Sequence, residues 1–214
     1  MSDWLNLLIG LAMGLNLVAL GTSRLPSLIR VAALQGMLLG VMPLLLEHEQ
    51  PRLMVVVVAI ATVALKGLVI PALLGRAMRT ANIDRDLDPL IGFLPSLLLG
   101  AAGMIGAVAL ARHLPLLPEH HESLLVAGAM ASVFTGLLLL IGRAKAISQV
   151  CGYLILENGI YLFGLLLIHS TPLLVEGGIL LDLTVAVFVI GIIVDRIQRA
   201  FDSLDTRKLT VLRE

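Results

Sequence analysis

Seven runs of about twenty mostly apolar residues succeed one another along the chain, near 3–22, 25–46, 53–75, 90–111, 122–142, 146–168 and 173–195. Polar or proline-containing connectors such as "GTSRLPS", "EHEQPR", "HLPLLPEHHE" and "HSTP" separate them. At ~1.5 Å per residue, roughly 20 residues cross the ~30 Å of hydrocarbon in a bilayer, and each run is too long and continuous for a strand. A helix satisfies its own backbone groups inside lipid, which an open sheet does not. The pattern therefore predicts an all-α integral membrane bundle of about seven transmembrane helices.

Composition agrees with this solvent. Of 214 residues 58% are hydrophobic and 14% charged, and the mean hydropathy is +1.01, far from the quarter-charged make-up of soluble domains. The opening "MSDWLNLLIG" lacks the basic region and small-residue cleavage site of a signal peptide, so the first run is expected to persist as a span. Net charge is zero, which gives no reason to expect nucleic acid. Placement of the charges is more informative. Connectors after runs 1, 3, 5 and 7, together with nearby Arg30, hold 12 basic residues, whereas the opposite connectors hold only Arg52 and Arg112. Under the positive-inside rule the N-terminus is expected outside and the C-terminus cytoplasmic.

The remaining basic residue, Lys66, falls near the middle of run 3 in "VALKGLVIP". Glu157 and Asp182 lie near the middle of runs 6 and 7. An ionisable group at membrane depth costs a few kcal/mol, so such groups turn inward, pair, and commonly mark proton or ion routes. Gln35 lies at similar depth in run 2, with Asn6 and Asn16 on run 1, so these side chains are expected to form a polar layer across the bundle centre. On run 6 the i±4 neighbours of Glu157 are Tyr153 and Tyr161, which offer two hydroxyls on its face. Asn158 is adjacent to it, and Glu176 stands one turn into run 7. Pro71 removes a backbone donor shortly after Lys66, which predicts a hydrated kink there. A purely structural reading stands beside the relay: Lys66 pairs with a carboxylate as interhelical glue, and the amides and the run 6 and run 7 glycines serve packing. Runs 4 and 5, nearly without internal polar residues, are assigned to packing or to lipid contact.

Other chemistries are set aside. The five histidines lie in or beside outer connectors, where they cannot be axial ligands of a haem in the bilayer. "PEHHE" reads as a solvated loop, so no metal site is assigned. The single cysteine, Cys151, excludes an internal disulfide and a four-thiolate site, and reads as a small packing residue. No nucleophile elbow, zinc-protease or nucleotide-loop motif is present, so the chain is read as non-catalytic and without a cofactor of its own.

The segment "GYLILENGIYLFGLLLIHSTPLLVEGGILLDLTVAVFVIGIIVDRI", followed by "LDTRKLTVLRE", resembles the C-terminal part of the hydrogenase-4 component E family, and "LKGLVIP" resembles its third-span Lys-then-Pro signature. Those proteins are membrane subunits of formate hydrogenlyase-type group 4 [NiFe] hydrogenases. The last spans are in turn similar to the K subunit of respiratory complex I. There, two membrane glutamates belong to a hydrophilic axis leading to antiporter-like pumping subunits. Asp182, followed by Thr184, falls where the second acid stands. The first acid's position is taken by Leu154, and Glu157 lies one turn later on nearly the same face. The resemblance implies a single membrane domain over 1–214: three spans in 1–89, two in 90–142, a K-subunit-like pair in 143–200 and a cytoplasmic tail in 201–214. It also implies a prokaryotic inner membrane, antiporter-like and other membrane hydrogenase subunits as partners, and cytoplasmic hydrogenase and iron–sulfur subunits carrying the nickel-iron centre and clusters. Glu157, Asp182 and Lys66 are then expected to move protons or charge laterally. Two alternatives stay open: a structural scaffold, and a subunit of a cation/proton antiporter-type or other complex I-like assembly.

Overall fold

Apolar runs with their polar residues confined to one side can only bury those residues by turning them toward neighbouring helices, and the computed structural model shows the bundle that results. It describes residues 3–46, 53–80, 89–114 and 124–165. The helices are α1 (Asp3–Gly21), α2 (Leu25–Leu46), α3 (Leu53–Ala64), α4 (Ile70–Thr80), α5 (Phe93–His113), α6 (Leu125–Gly142) and α7 (Ala146–Leu165). A π-helical turn, Leu65–Val69, joins α3 to α4 into one rod, so the described residues form six rods without a named strand. Five of these are long and apolar enough to cross a membrane. The sixth, α7, is 20 residues long and carries Gln149, Glu157 and Asn158 within its apolar sequence. Run 7, with Glu176, Asp182 and Thr184, lies outside the described residues.

One boundary and one local feature differ from expectation. The third rod continues to Thr80, beyond the predicted end near 75, because "GRAMRT" is polar yet holds good helix formers in Arg76, Ala77, Met78 and Arg79 and no proline. The kink expected at Pro71 takes the form of the π turn. Ile70 N–H bonds Leu65 O, five residues back, and this wider winding relieves the clash that a proline ring makes with the carbonyl four residues before it.

α1, α2, α6 and α7 form the centre. α1 packs on α2, α5 and α6, α2 packs on α3, α4 and α7, and α6 lies along α7. The inward residues of α1 (Leu5, Ile9, Ala12, Asn16, Ala19 and Leu20) recur every three or four positions, the stripe of a helix with one buried face. α5 is peripheral and turns Leu94, Leu98 and Ile105 outward.

The α6–α7 seam is backbone against backbone. A Cβ added at Gly136 would come within 2.5 Å of Leu156 N, one at Gly152 within 3.0 Å of Gly136 O, and one at Gly159 within 2.6 Å of Val133 N. These glycines are what lets two membrane helices approach closely enough for dispersion to hold them. Gly159→Val should destabilise the bundle by about 1–3 kcal/mol through overpacking, seen as a lower thermal midpoint in detergent. Gly14→Ala, where nothing lies within 4 Å of the added carbon, should leave that midpoint unchanged or raise it slightly.

Candidate functional site

Lys66 reaches the bundle interior from the π turn. Its side chain passes over Gly36 of α2, where an added Cβ would lie 2.8 Å from Lys66 Cβ and 3.0 Å from its Cδ. Gly36 is thus a notch that lets the lysine stem cross α2 and meet α7. There the ammonium lies between two consecutive residues: Lys66 Nζ is 3.1 Å from Glu157 Oε1 and donates to Asn158 Oδ1 at 3.0 Å. Successive residues on a helix point about 100° apart, so Glu157 and Asn158 grip one cation from two sides. The Tyr161 ring adds a face 5.6 Å from Nζ, within cation–π range. Lys66 is 6% exposed and Glu157 2%.

The contacts continue away from the charges. Asn158 Nδ2 donates to Gln35 Oε1 at 3.3 Å, Gln35 Nε2 donates to Asn16 Oδ1 at 2.8 Å, and Asn16 Nδ2 donates to Ser132 Oγ at 3.0 Å. Gln35 Nε2 also lies 3.4 Å from Ala12 O and from Ser132 Oγ. A polar string therefore runs from the π turn through α7, α2 and α1 to α6, and all of its members are buried. Beside Lys66 and Asn158 a cavity of about 10 Å³, also lined by Ala33, Pro71, Leu74 and Leu154, is at the lower limit of space for one water molecule.

The sequence-predicted residues divide as follows. Lys66, Glu157, Asn158, Gln35, Asn16 and Tyr161 come together. Asn6 does not join the central layer: ten residues from Asn16, or about 15 Å along the helix, its Oδ1 accepts from Leu124 N at 3.1 Å at the start of α6. Tyr153 packs against the apolar cluster of Leu25, Leu28, Leu74 and Ile155, part of which borders the cavity beside Lys66. Asp182, Glu176 and Thr184 lie outside the described residues.

Two residues were missed. Ser132 makes run 5 more than a packing helix, which corrects the expectation for that run. A serine in an apolar stretch gives no signal of its own, since it can bond its own helix backbone. Arg143, counted only as one of the 12 basic residues of the connectors, is 1% exposed. Its Nη1 donates to Ile91 O at 2.9 Å, its Nη2 to Leu20 O at 2.8 Å, and its guanidinium covers the Phe93 ring at 4.9 Å. Burial pulls its pKa below the usual arginine value, although arginine remains charged in proteins. It satisfies a carbonyl in the last turn of α1 and ties α1, the 89–92 segment and the α6–α7 link together.

Removing one member of a buried pair strands the other charge, whereas removing both need not destabilise. Lys66→Met or Glu157→Leu alone should lower bundle stability by about 3–5 kcal/mol, and the double variant should recover most of the loss. A double-mutant cycle of unfolding free energies in detergent checks this. Gly36→Val, which fills the notch, should lose stability without touching a charge.

No family model matches the chain, and no solved structure matches it. It is 36% identical over 191 residues to the "Uncharacterized protein Rv0085" of Mycobacterium tuberculosis, covering 89% of this chain and 87% of that protein. It is 30% identical over 152 residues to "Hydrogenase-4 component E" of Escherichia coli K12, covering 69% of this chain and 68% of that protein, and the same figures hold for the Shigella flexneri protein of that name. With the Lys66 and Glu157–Asn158 segments already placed in one buried site, the sequence relationship completes the assignment: this chain belongs to the hydrogenase-4 component E family.

Proposed function

We propose that the chain is a non-catalytic membrane subunit of a complex I-like group 4 [NiFe] hydrogenase and supplies part of a mid-membrane coupling axis. The observation that carries this reading is the Lys66–Glu157 pair, closed off from lipid and water at 3.1 Å. A carboxylate and an ammonium at this separation attract each other strongly where little water screens them. Such a pair is responsive to any charge placed nearby. A change of protonation in an adjoining subunit would bias this pair, and the pair would bias the next group along. By resemblance to the K subunit of complex I, Asp182 would be the second acid of the axis, followed by Thr184, with Glu176 toward the outer side and Tyr153 and Tyr161 beside Glu157. The nickel-iron centre and iron–sulfur clusters belong to cytoplasmic partners, and antiporter-like subunits to the membrane flank. The N-terminus faces outward and the C-terminal tail inward in a prokaryotic inner membrane.

The scaffold reading has its own support, since the amide string joins four rods and would specify their packing. The two separate in one experiment on the purified complex. Glu157→Gln is nearly isosteric and should leave subunit composition by mass spectrometry and hydrogen turnover intact, while proton translocation into vesicles falls toward background. Wild-type translocation in an assembled Glu157→Gln complex would instead favour the scaffold. Mass spectrometry of the native assembly should recover hydrogenase subunits; an antiporter assembly without them would replace the hydrogenase context.

A further inference from the structure

Four inward residues of the third rod, Thr62, Lys66, Ile70 and Leu74, are spaced four apart, and all are buried. An α-helix turns ~100° per residue, so each step of four overshoots a full turn by ~40°. A rod wound as α-helix throughout would carry Leu74 roughly 120° round from Thr62, and the two could not share a face. The π turn at Leu65–Val69 removes the drift. It fits one more residue into a turn and so takes back about 100°, which returns both residues to the inward side. The third rod therefore holds one surplus residue, and the π turn is where it is taken up.

The flanking helices require that the surplus be taken up but leave its place open. Moving the π turn by about one turn either way would keep both flanks on their inward faces and rotate only the residues it passes. Lys66, second in the turn, is one of these. With the turn displaced, it would take its angle from Thr62 alone or from Ile70 alone, about 40° to one side or the other of the inward line. Its stem fits α2 at one angle, in the Gly36 notch, where an added Cβ would lie 2.8 Å from Lys66 Cβ. Pro71 decides the place. Winding Gly67 to Pro71 as α-helix sets the proline ring against the Gly67 carbonyl and offers that carbonyl no N–H. A wide turn just before Pro71 avoids the clash, and a wide turn anywhere else leaves it standing. We propose that Pro71 is a positioning residue for Lys66: by holding the π turn at Leu65–Val69 it sets the angle at which the lysine leaves the rod, and with it the contact to Glu157 and Asn158. The ring also lines the cavity beside Lys66 with Ile29, Ala33 and Leu74, so its packing has to be separated from its effect on the turn.

Leu68 supplies the means. It lies within the π turn and is 69% exposed, so deleting it removes the surplus residue without removing an inward side chain. Ile70 and Leu74 then follow Lys66 at i+3 and i+7, the spacing of one face of an ordinary α-helix. The full chain, carrying ¹⁵Nζ-lysine and ¹³Cδ-glutamate, is reconstituted in lipid bilayers and its lysine–glutamate contact is read by rotational-echo double-resonance NMR. Lys66 is one of three lysines, and Lys66→Met identifies its share of the dephasing. The wild type should show short-range dephasing at Lys66. Pro71→Ala should lose most of it, because the wide turn no longer has a fixed place. Deleting Leu68 in the Pro71→Ala chain should restore it, since no surplus residue remains to be misplaced. Wild-type dephasing in Pro71→Ala overturns the proposal, leaving the Gly36 notch and the grip of α7 to aim the lysine unaided. A loss that the deletion does not restore belongs to the missing ring and overturns it as well. The readout is a distance between two nuclei and takes nothing from translocation, so the coupling role can fail in the complex while Pro71 still aims Lys66, and the reverse.

Discussion

A single ammonium buried at the centre of an apolar bundle sets the conditions that the surrounding structure meets. Lys66 would be costly to insert alone, and the fold provides a carboxylate, an amide oxygen and an aromatic face within reach of its Nζ. Supplying them from α7 requires the side chain to cross α2, which requires a residue without a Cβ at position 36. It also requires the third rod to present Lys66 inward just before a proline. The π turn accommodates the ring and, by adding one residue to the winding, rotates the rod's face by roughly 100° across that point.

The site gathers strength from being shared. Glu157 and Asn158 belong to the helix that packs most intimately on α6 through Gly136, Gly152 and Gly159, so the rigid seam of the bundle holds the groups that grip the cation. The amide string then ties α7, α2, α1 and α6 together at one depth. Such a network stabilises only when each member is satisfied, which couples packing to charge. The pair that makes the site responsive is also what makes its helices specific for one another. At the opposite end of α6 Arg143 repeats the solution with different partners, using backbone carbonyls and an aromatic ring in place of a carboxylate.

Membrane placement and helical class were legible because lipid leaves the chain few choices. A twenty-residue apolar run has to be a helix, and the interruptions between runs are conspicuous. The charged residues were legible for the same reason: in a chain with 14% charged residues, one lysine within a run stands out. Ser132 and Arg143 escaped notice because their types are common in the places where they occur. Only their neighbours make them special, as an acceptor for Asn16 in one case and as a link between α1 and residue 91 in the other. Asn6 and Asn16 looked alike on one helix, yet one serves the start of α6 and the other the central string, because α6 passes them at different heights.

The family followed from likeness to related sequences; the order of the runs and the oxygen and nitrogen groups available at mid-depth followed from the sequence alone, since both depend on composition and local pattern. Which carboxylate Lys66 meets did not. Sequence offered both Glu157 and Asp182; Asp182 lies outside the described residues, and the fold places Glu157 at 3.1 Å. That contact lies 91 residues away along the chain and depends on a notch at Gly36 and a π turn at Leu65–Val69. Local pattern carries no record of helix-to-helix distance, and the direction of a hydrogen-bonded string exists only once its donor end has been fixed in space.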